Sequence, residues 1–290
     1  MARILTGLII STVLLAACAS DGGDREGSLS LSRSPLIGKF VWHDLITDQV
    51  QASRRFYGAV LGWTFEEATR PGGGDYTLVV SDGKYIGGMV PLADHPQADY
   101  SRWLGYLSVD DVDAAFASIK QGGGSSIVDP REVGNVGRAA AVRDPQGAVL
   151  GLLRSDHGDP VDTTVTTEGA VGWNELVASD ADAAAGFYEQ LLGYQERIES
   201  RKGGQYIVLS QGGRPRAGVM QRPDDRIEPL WLTYFAVTNV AASARTAVEA
   251  GGEVLIEPSA SVRDGTIAII RGPEGAVFGL QQIRGGGAQP

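Results

Sequence analysis

The sequence predicts an α+β protein made of two tandem copies of one domain, each running the order βαβββ twice. Three observations predict it. First, the chain repeats itself. Phe56-Tyr57 returns as Phe187-Tyr188, Leu61-Gly62 as Leu192-Gly193, and Trp42-His43-Asp44-Leu45 as Trp173-Asn174-Glu175-Leu176, each 131 residues on. Farther along the spacing closes to 128: Trp103-Leu104 and Tyr106 match Trp231-Leu232 and Tyr234, and Asp144-Pro145-Gln146-Gly147 matches Gly272-Pro273-Glu274-Gly275. An offset that shifts once is a duplicated domain with one small deletion in a loop. Second, glycine is abundant, 40 of 290 residues, without a Gly-X-Y period. It clusters between short apolar runs, as in a protein of many short strands. Third, the apolar spacing alternates between strand-like and helix-like stretches in each copy.

In the first copy, Phe40 to Ile46 reads as a strand. Val50 to Leu61 carries Ala52, Phe56, Val60 and Leu61 at helical spacing, with Gly62 as the stop. Trp63 to Ala68, Tyr76 to Val80 and Tyr85 to Leu92 read as strands separated by Gly/Asp turns. The second unit follows: a strand from Trp103 to Val109, a helix from Val112 to Lys120 ended by three glycines, then strands around Ile127, Ala139 to Val142 and Val149 to Leu153. The two domains are expected at 37–156 and 170–284, with a polar linker at 157–169 and a short tail at 285–290. They are expected to superpose as near copies and to pack as an intramolecular pseudo-dimer.

Composition narrows the function classes. The chain is 43% hydrophobic and 21% charged, with a net charge of −10. Such an acidic chain lacks the Lys/Arg surface that nucleic acid demands. The single cysteine excludes an internal disulfide framework and a Cys-rich metal site. The runs Gly72-Gly73-Gly74 and Gly122-Gly123-Gly124 lack the strand–loop–helix setting and the Lys-Ser/Thr of a phosphate loop.

Residues 1–17 read as a signal peptide: Arg3, then an apolar run from Ile4 to Leu15 too short for a permanent span. The ending Leu15-Ala16-Ala17-Cys18 resembles the bacterial lipoprotein signal. That resemblance implies lipidation of Cys18, and acyl chains give stable membrane anchoring once two are present. Ala19 after the cysteine implies the periplasmic face of the outer membrane in a Gram-negative host. Residues 18–36 read as a flexible tether, with no tertiary contacts expected before residue 36.

The order of elements, with Phe56-Tyr57, Leu61-Gly62-Trp63, Ser108-Val109-Asp110-Asp111 and Asp144-Pro145-Gln146-Gly147, resembles the vicinal oxygen chelate superfamily. This superfamily includes glyoxalase I, bleomycin-resistance proteins and extradiol dioxygenases, and the resemblance covers about Ile37 to Arg284. It implies that two βαβββ units form one half-barrel sheet whose concave face holds the site. It also implies a divalent metal held by His, Glu or Gln on four strands. The matching positions here are Trp42, the stretch Gly87 to Met89, Leu104 and Gly151, with Trp173, Gly218 to Met220, Leu232 and Gly279 in the second copy. Trp, Leu and Gly offer no lone pair to such a cation. No cofactor is expected, and a divalent metal only if a bulge turns His43 into the cleft. His95 and His157 read as solvated.

Strand alternation places Trp42 and Asp44, Tyr106 and Leu153 on one concave face, and Trp173, Glu175, Tyr234 and Gln281 on the other. An aromatic cleft with a carboxylate suits a flat or cationic small molecule. Asp44 and Glu175 are also the candidates for metal-free acid–base catalysis, if burial raises their pKa. A strand carboxylate beside Trp serves equally as a core hydrogen-bond partner. Three readings stay open: a membrane-anchored small-molecule binder without the usual metal, a lyase or dioxygenase of the glyoxalase type with displaced ligands or a metal-free acid–base enzyme, and an envelope scaffold.

Overall fold

A computed structural model describes residues 27–70, 73–92, 100–201 and 204–283. Domain 1 runs β1 (Phe40–Ile46), α1 (Val50–Leu61), β2 (Thr64–Thr69), β3 (Asp75–Ser81), β4 (Lys84–Val90), β5 (Arg102–Ser108), α2 (Val112–Gln121), β6 (Ser125–Val133), β7 (Gly137–Arg143) and β8 (Val149–Ser155). Domain 2 repeats this as β9 (Val171–Ala178), α3 (Ala181–Leu192), β10 (Gln195–Arg201), β11 (Gly204–Gln211), β12 (Arg214–Gln221), β13 (Leu230–Val237), α4 (Val240–Glu249), β14 (Glu253–Ile256), β15 (Ile267–Arg271) and β16 (Val277–Gln282). Each domain is one eight-stranded sheet, ordered β2-β3-β4-β1-β5-β8-β7-β6 and β10-β11-β12-β9-β13-β16-β15-β14. The fold is α+β, two tandem domains of two βαβββ units each.

Local chemistry sets the helices. Asp111, Asp180 and Asn239 cap α2, α3 and α4, each accepting a backbone N–H three residues on at 3.0 Å. The Asp that follows Ser-Val-Asp is therefore a helix cap. Gly62 and Gly193 close α1 and α3 in the left-handed conformation, at φ 69° and 68°.

All seven residues of β1 are buried, because one face meets the concave core and the other a helix layer. The helix layers are shared between the domains. One apolar cluster joins α2, β7 and β8 of domain 1 to α3, β11 and β12 of domain 2. Another joins α1 of domain 1 to α4, β15 and β16 of domain 2. The concave faces lie outside, one per domain.

The repeated motifs turn out to be fasteners of this interface. Trp103 Nε1 donates to Tyr57 Oη (2.9 Å), which donates to Glu274 of the other domain (2.8 Å). Reciprocally, Trp231 Nε1 donates to Tyr188 Oη (2.9 Å), which donates to Asp144 (3.0 Å). Ring pairs cross as well, Phe40 with Trp231 and Trp63 with Phe235, both at 4.8 Å. Such pairs add about 0.5–1.5 kcal/mol each beyond the area they bury. The contacts are isologous, as in a two-fold dimer.

Two expectations need correction. Residues 27–36 are not a free tether. Ser28 bridges to Lys84 and Leu31 to Pro160, while Leu29 and Leu31 rest on the domain 1 cluster. The linker is likewise built in: Asp159 is fully buried and accepts from Leu36 N (2.5 Å) and Ser108 Oγ (2.6 Å). A composition rich in Ser, Gly and Asp concealed how well these backbones satisfy each other's polar groups. The signal peptide, Cys18, His95 and the tail lie outside the described residues.

Candidate functional site

The two concave faces share one register. Asp44 stands opposite Gly88 on β4 and Leu104 on β5, and Trp42 opposite Tyr106, which in turn faces Gly151 on β8. In domain 2, Glu175 stands opposite Gly218 and Leu232, and Trp173 opposite Tyr234, which faces Gly279. Trp42, Asp44, Tyr106 and Leu153 thus gather on one face, as do Trp173, Glu175 and Tyr234 on the other. Gln281 lies at the half-buried end of β16, its amide oxygen near Gly172.

Each face also holds a tyrosine that alternation alone did not single out. Tyr76 Oη lies 2.9 Å from Trp42 Nε1 and donates to Asp44 Oδ1 at 2.6 Å. Trp42 Nε1 also reaches Asp44 Oδ1 at 3.0 Å. In domain 2, Trp173 Nε1 donates to Tyr206 Oη (2.8 Å) and Tyr234 Oη donates to Glu175 Oε1 (2.8 Å). The glycines make room for these rings. A Cβ at Gly88 would collide with the Tyr76 hydroxyl, and one at Gly151 with the Tyr106 ring; Gly218 and Gly279 stand in the same way against Tyr206 and Tyr234. The clue in the sequence was the pairing of glycines with tyrosines at matched positions in both copies.

These contacts decide the fit to a family-type metal. Two of the four ligand positions are glycines whose side-chain space a phenol ring fills, and the others are Trp and Leu. No group of three or more His, Cys, Asp or Glu among the described residues is arranged to hold a metal ion. The residues present do not fit the group. The bulge in β1 falls between Phe40 and Trp42, and His43 faces the other domain rather than the cleft. There its Nε2 lies 2.9 Å from Asn174 Oδ1, the equivalent residue of the other domain. Thr233 Oγ1 also donates to that oxygen (3.2 Å), so the His43 proton sits on Nε2. Burial pushes the His43 pKa down to about 4, and the Asn174 hydrogen bond only partly opposes it.

The acids differ between the faces. Asp44 is 1% exposed, and its Oδ2 has no hydrogen-bond partner among the described residues. Burial pushes its pKa up to about 7, against the pull of Tyr76, Trp42, Tyr106 and the Arg70 charge. Glu175, equally buried, is bonded on both oxygens. Arg263 reaches its Oε2 from the irregular turn between β14 and β15. That guanidinium also lies over the Tyr206 and Tyr234 rings, 5.0 and 5.5 Å from their centroids. Arg263 and Asp264 hold left-handed backbone, at φ 46° and 55°, to deliver it. Burial opposes the Arg263 charge, yet Glu175 and the two phenols keep its pKa above the ordinary value. In domain 1 the guanidinium whose charge acts on Asp44 is that of Arg70, while Arg131 on β6 lies close to Tyr106, with Nε and Nη2 unpartnered among the described residues.

Comparison with known proteins follows the same lines. The sequence profile of the Glyoxalase/Bleomycin resistance protein/Dioxygenase superfamily matches residues 38–152 and 170–280. CFP32 of Mycobacterium tuberculosis, whose name assigns it provisionally as a glyoxylase, is 33% identical over 242 residues, 82% of this chain and 92% of that protein. The anthracycline biosynthesis protein DnrV of Streptomyces peucetius is 34% identical over 265 residues, 86% of this chain and 94% of that protein. Among solved structures, a variant of homoprotocatechuate 2,3-dioxygenase from B. fuscum matches with a TM-score of 0.55 at 14% identity, covering 89% of this chain and 74% of that one. The Mn(II)-bound glyoxalase from Novosphingobium aromaticivorans matches at 0.51 and 14%, covering 86% and 82%. At this identity the solved structures speak for the fold.

Proposed function

This chain belongs to the Glyoxalase/Bleomycin resistance protein/Dioxygenase superfamily, and from that premise we propose that it binds a small planar organic molecule in the concave face of domain 1, without the family metal. One observation carries the proposal: Asp44 is buried among Trp42, Tyr76 and Tyr106 with one carboxyl oxygen left without a partner among the described residues. An unpartnered buried acceptor costs about 1–3 kcal/mol. Asp159 Oδ1 and Glu274 Oε2 bear the same cost in the linker and the domain interface, and Asp44 differs from them in standing on a concave aromatic face. The aromatic walls suit a flat ring system, and Asp44 Oδ2 suits a hydrogen-bond donor or cationic group on it. The name of DnrV places that relative in the biosynthesis of anthracyclines, which are planar fused-ring compounds. In the same proposal Cys18 is lipidated and holds the protein at the envelope, at the periplasmic face of the outer membrane in a Gram-negative host.

A second function is favoured by the Asp44 pKa of about 7. A carboxyl poised there exchanges protons at neutral pH, so Asp44 would serve as acid or base toward a bound carbonyl compound without a metal. Glu175, closed off by Arg263, has no such role.

One experiment separates these. The full chain is titrated with an anthracycline, following its fluorescence, and assayed with a thiol hemiacetal of methylglyoxal, each with and without chelator. Binding is expected to be chelator-insensitive and to weaken about tenfold or more in Asp44→Asn, a loss of about 1.4 kcal/mol. Turnover that Asp44→Asn abolishes would move the enzyme reading to the front. Stoichiometric metal in the purified chain would overturn the metal-free site.

A further inference from the structure

A cavity of about 330 Å³ lies between the domains; Trp173 of the domain 2 concave face borders it, and Asp44 does not line it. Its volume and its position at a domain interface are those of small-molecule sites. Its walls come from the docked N-terminal segment, the linker and the edges of both sheets. Phe40, Val41, Tyr85, Pro160 and Val161 give it an apolar lining, and His43 and Asn174 also line it.

Its charge runs against that of the molecule. Lys39, Lys84 and Arg216 line it against a single carboxylate, Asp162, in a chain whose net charge is −10. Asp162 contacts Lys39 (3.2 Å) and Arg216 (2.6 Å), with Arg214 at 3.6 Å. One carboxylate cannot neutralise them all. Lys39 spends its other hydrogen bonds on the carbonyls of Pro160 (2.5 Å) and Val161 (3.0 Å). The Arg216 side chain is 9% exposed, and its Nε has no hydrogen-bond partner among the described residues. Arg216 is paired with Asp162 through Nη1 yet keeps Nε unspent, and the cavity holds more positive charge than its one carboxylate offsets, so it can accommodate a further anion.

We infer that this interdomain cavity is a second binding site, for a small organic acid whose carboxylate or sulfonate meets Arg216 and whose hydrocarbon body lies along the apolar lining. Arg216 supplies the directed hydrogen bond, and Lys39 and Lys84 supply charge. The site is separate from the concave face of domain 1, so its ligand does not compete for Asp44.

The test is calorimetric titration of the full chain with 2-naphthoate, and with its neutral isostere 2-naphthamide. Expected are one saturable site per chain for the acid and affinity at least about tenfold lower for the amide. Arg216→Gln should weaken naphthoate binding at least about tenfold, and Thr164→Trp, which blocks the cavity from an exposed rim position, should do the same. Asp44→Asn should leave it unchanged. Equal binding of acid and amide overturns the proposal, as does retention of affinity in Thr164→Trp, which decides the matter even if Arg216→Gln fails to fold. Absence of saturable binding up to millimolar naphthoate overturns it too. Loss of naphthoate binding in Asp44→Asn would place that anion in the concave face instead. The anthracycline titration reads the concave face independently, so the two proposals fail separately.

Discussion

In domain 1 the acid of the central strand keeps one oxygen without a partner among the described residues; in domain 2 the equivalent acid is closed off by an arginine. The surroundings are otherwise alike: a tryptophan two residues earlier, two tyrosines, and two glycines that admit the tyrosine rings. The fold thus contains a way to satisfy this carboxyl internally, and domain 2 uses it. Domain 1 does not, and bears the cost of a buried group that resists ionisation. The interface acids differ in the same way, with Asp144 bonded on both oxygens and Glu274 Oε2 without a partner among the described residues; what sets Asp44 apart is its place on a concave aromatic face.

The comparison breaks or sharpens most at Arg263. Arg263→Met should leave Glu175 buried without its cation and destabilise the protein by about 3–5 kcal/mol, read from the denaturant midpoint. The double variant Arg263→Met/Glu175→Gln should recover most of that loss. If the single variant is neutral, the two faces do not differ as described.

Next is Asp44. Its folded pKa, about 7, lies above its ordinary 3.8, so the folded state binds the extra proton between those values and stability falls as pH rises through that window. Asp44→Asn should therefore stabilise the protein at pH 8 by up to about 4 kcal/mol while weakening the proposed anthracycline binding about tenfold or more. Destabilisation at pH 8 would instead mark Asp44 as a structural carboxylate.

His43, the neighbouring residue on the opposite face of β1, carries the reverse dependence. Its folded pKa of about 4 lies below the ordinary 6.5, so the unfolded chain binds the extra proton between those values. Stability there rises with pH, by about 3 kcal/mol across the window. The two slopes oppose each other between about pH 4 and 6.5. His43→Gln should remove the rising contribution and Asp44→Asn the falling one, as read from midpoints measured at pH 4.5 and 6.5.

The smallest effect is expected at Arg131. Its Nε and Nη2 have no partners to lose among the described residues, so Arg131→Met should change stability by less than about 1 kcal/mol, in contrast to Arg263→Met. A large loss would give domain 1 a guanidinium lock of its own.

The duplication, the element order and the shared face of Trp42, Asp44 and Tyr106 were legible because strand period and repeat spacing are properties of the sequence itself. Tyr76 and Tyr206 were not singled out, because their role depends on which strands become neighbours. Arg263 was illegible for another reason: it reaches Glu175 from an irregular turn, 88 residues away in sequence, where no periodicity applies. His43 was placed on the correct face by alternation, but its partner Asn174 emerges only from how the domains pack. The Phe-Tyr and Asp-Pro-Gln-Gly motifs were read as marks of the fold; the structure gives them work at the interface.

That interface bears on how the molecule acquired two unlike concave faces. In a dimer of identical subunits, the residue at the two-fold axis meets its own copy, and any change at a site is made twice. Joined in one chain, the halves are inherited together yet edited separately. His43 faces Asn174 across the axis, a proton donor against an acceptor that two identical residues of either kind would have to arrange by breaking symmetry. The same freedom allowed one acid to be sealed and the other left open. Because each helix layer is completed by the other domain, neither half can be discarded whatever becomes of its concave face: each domain is a wall of the other's core.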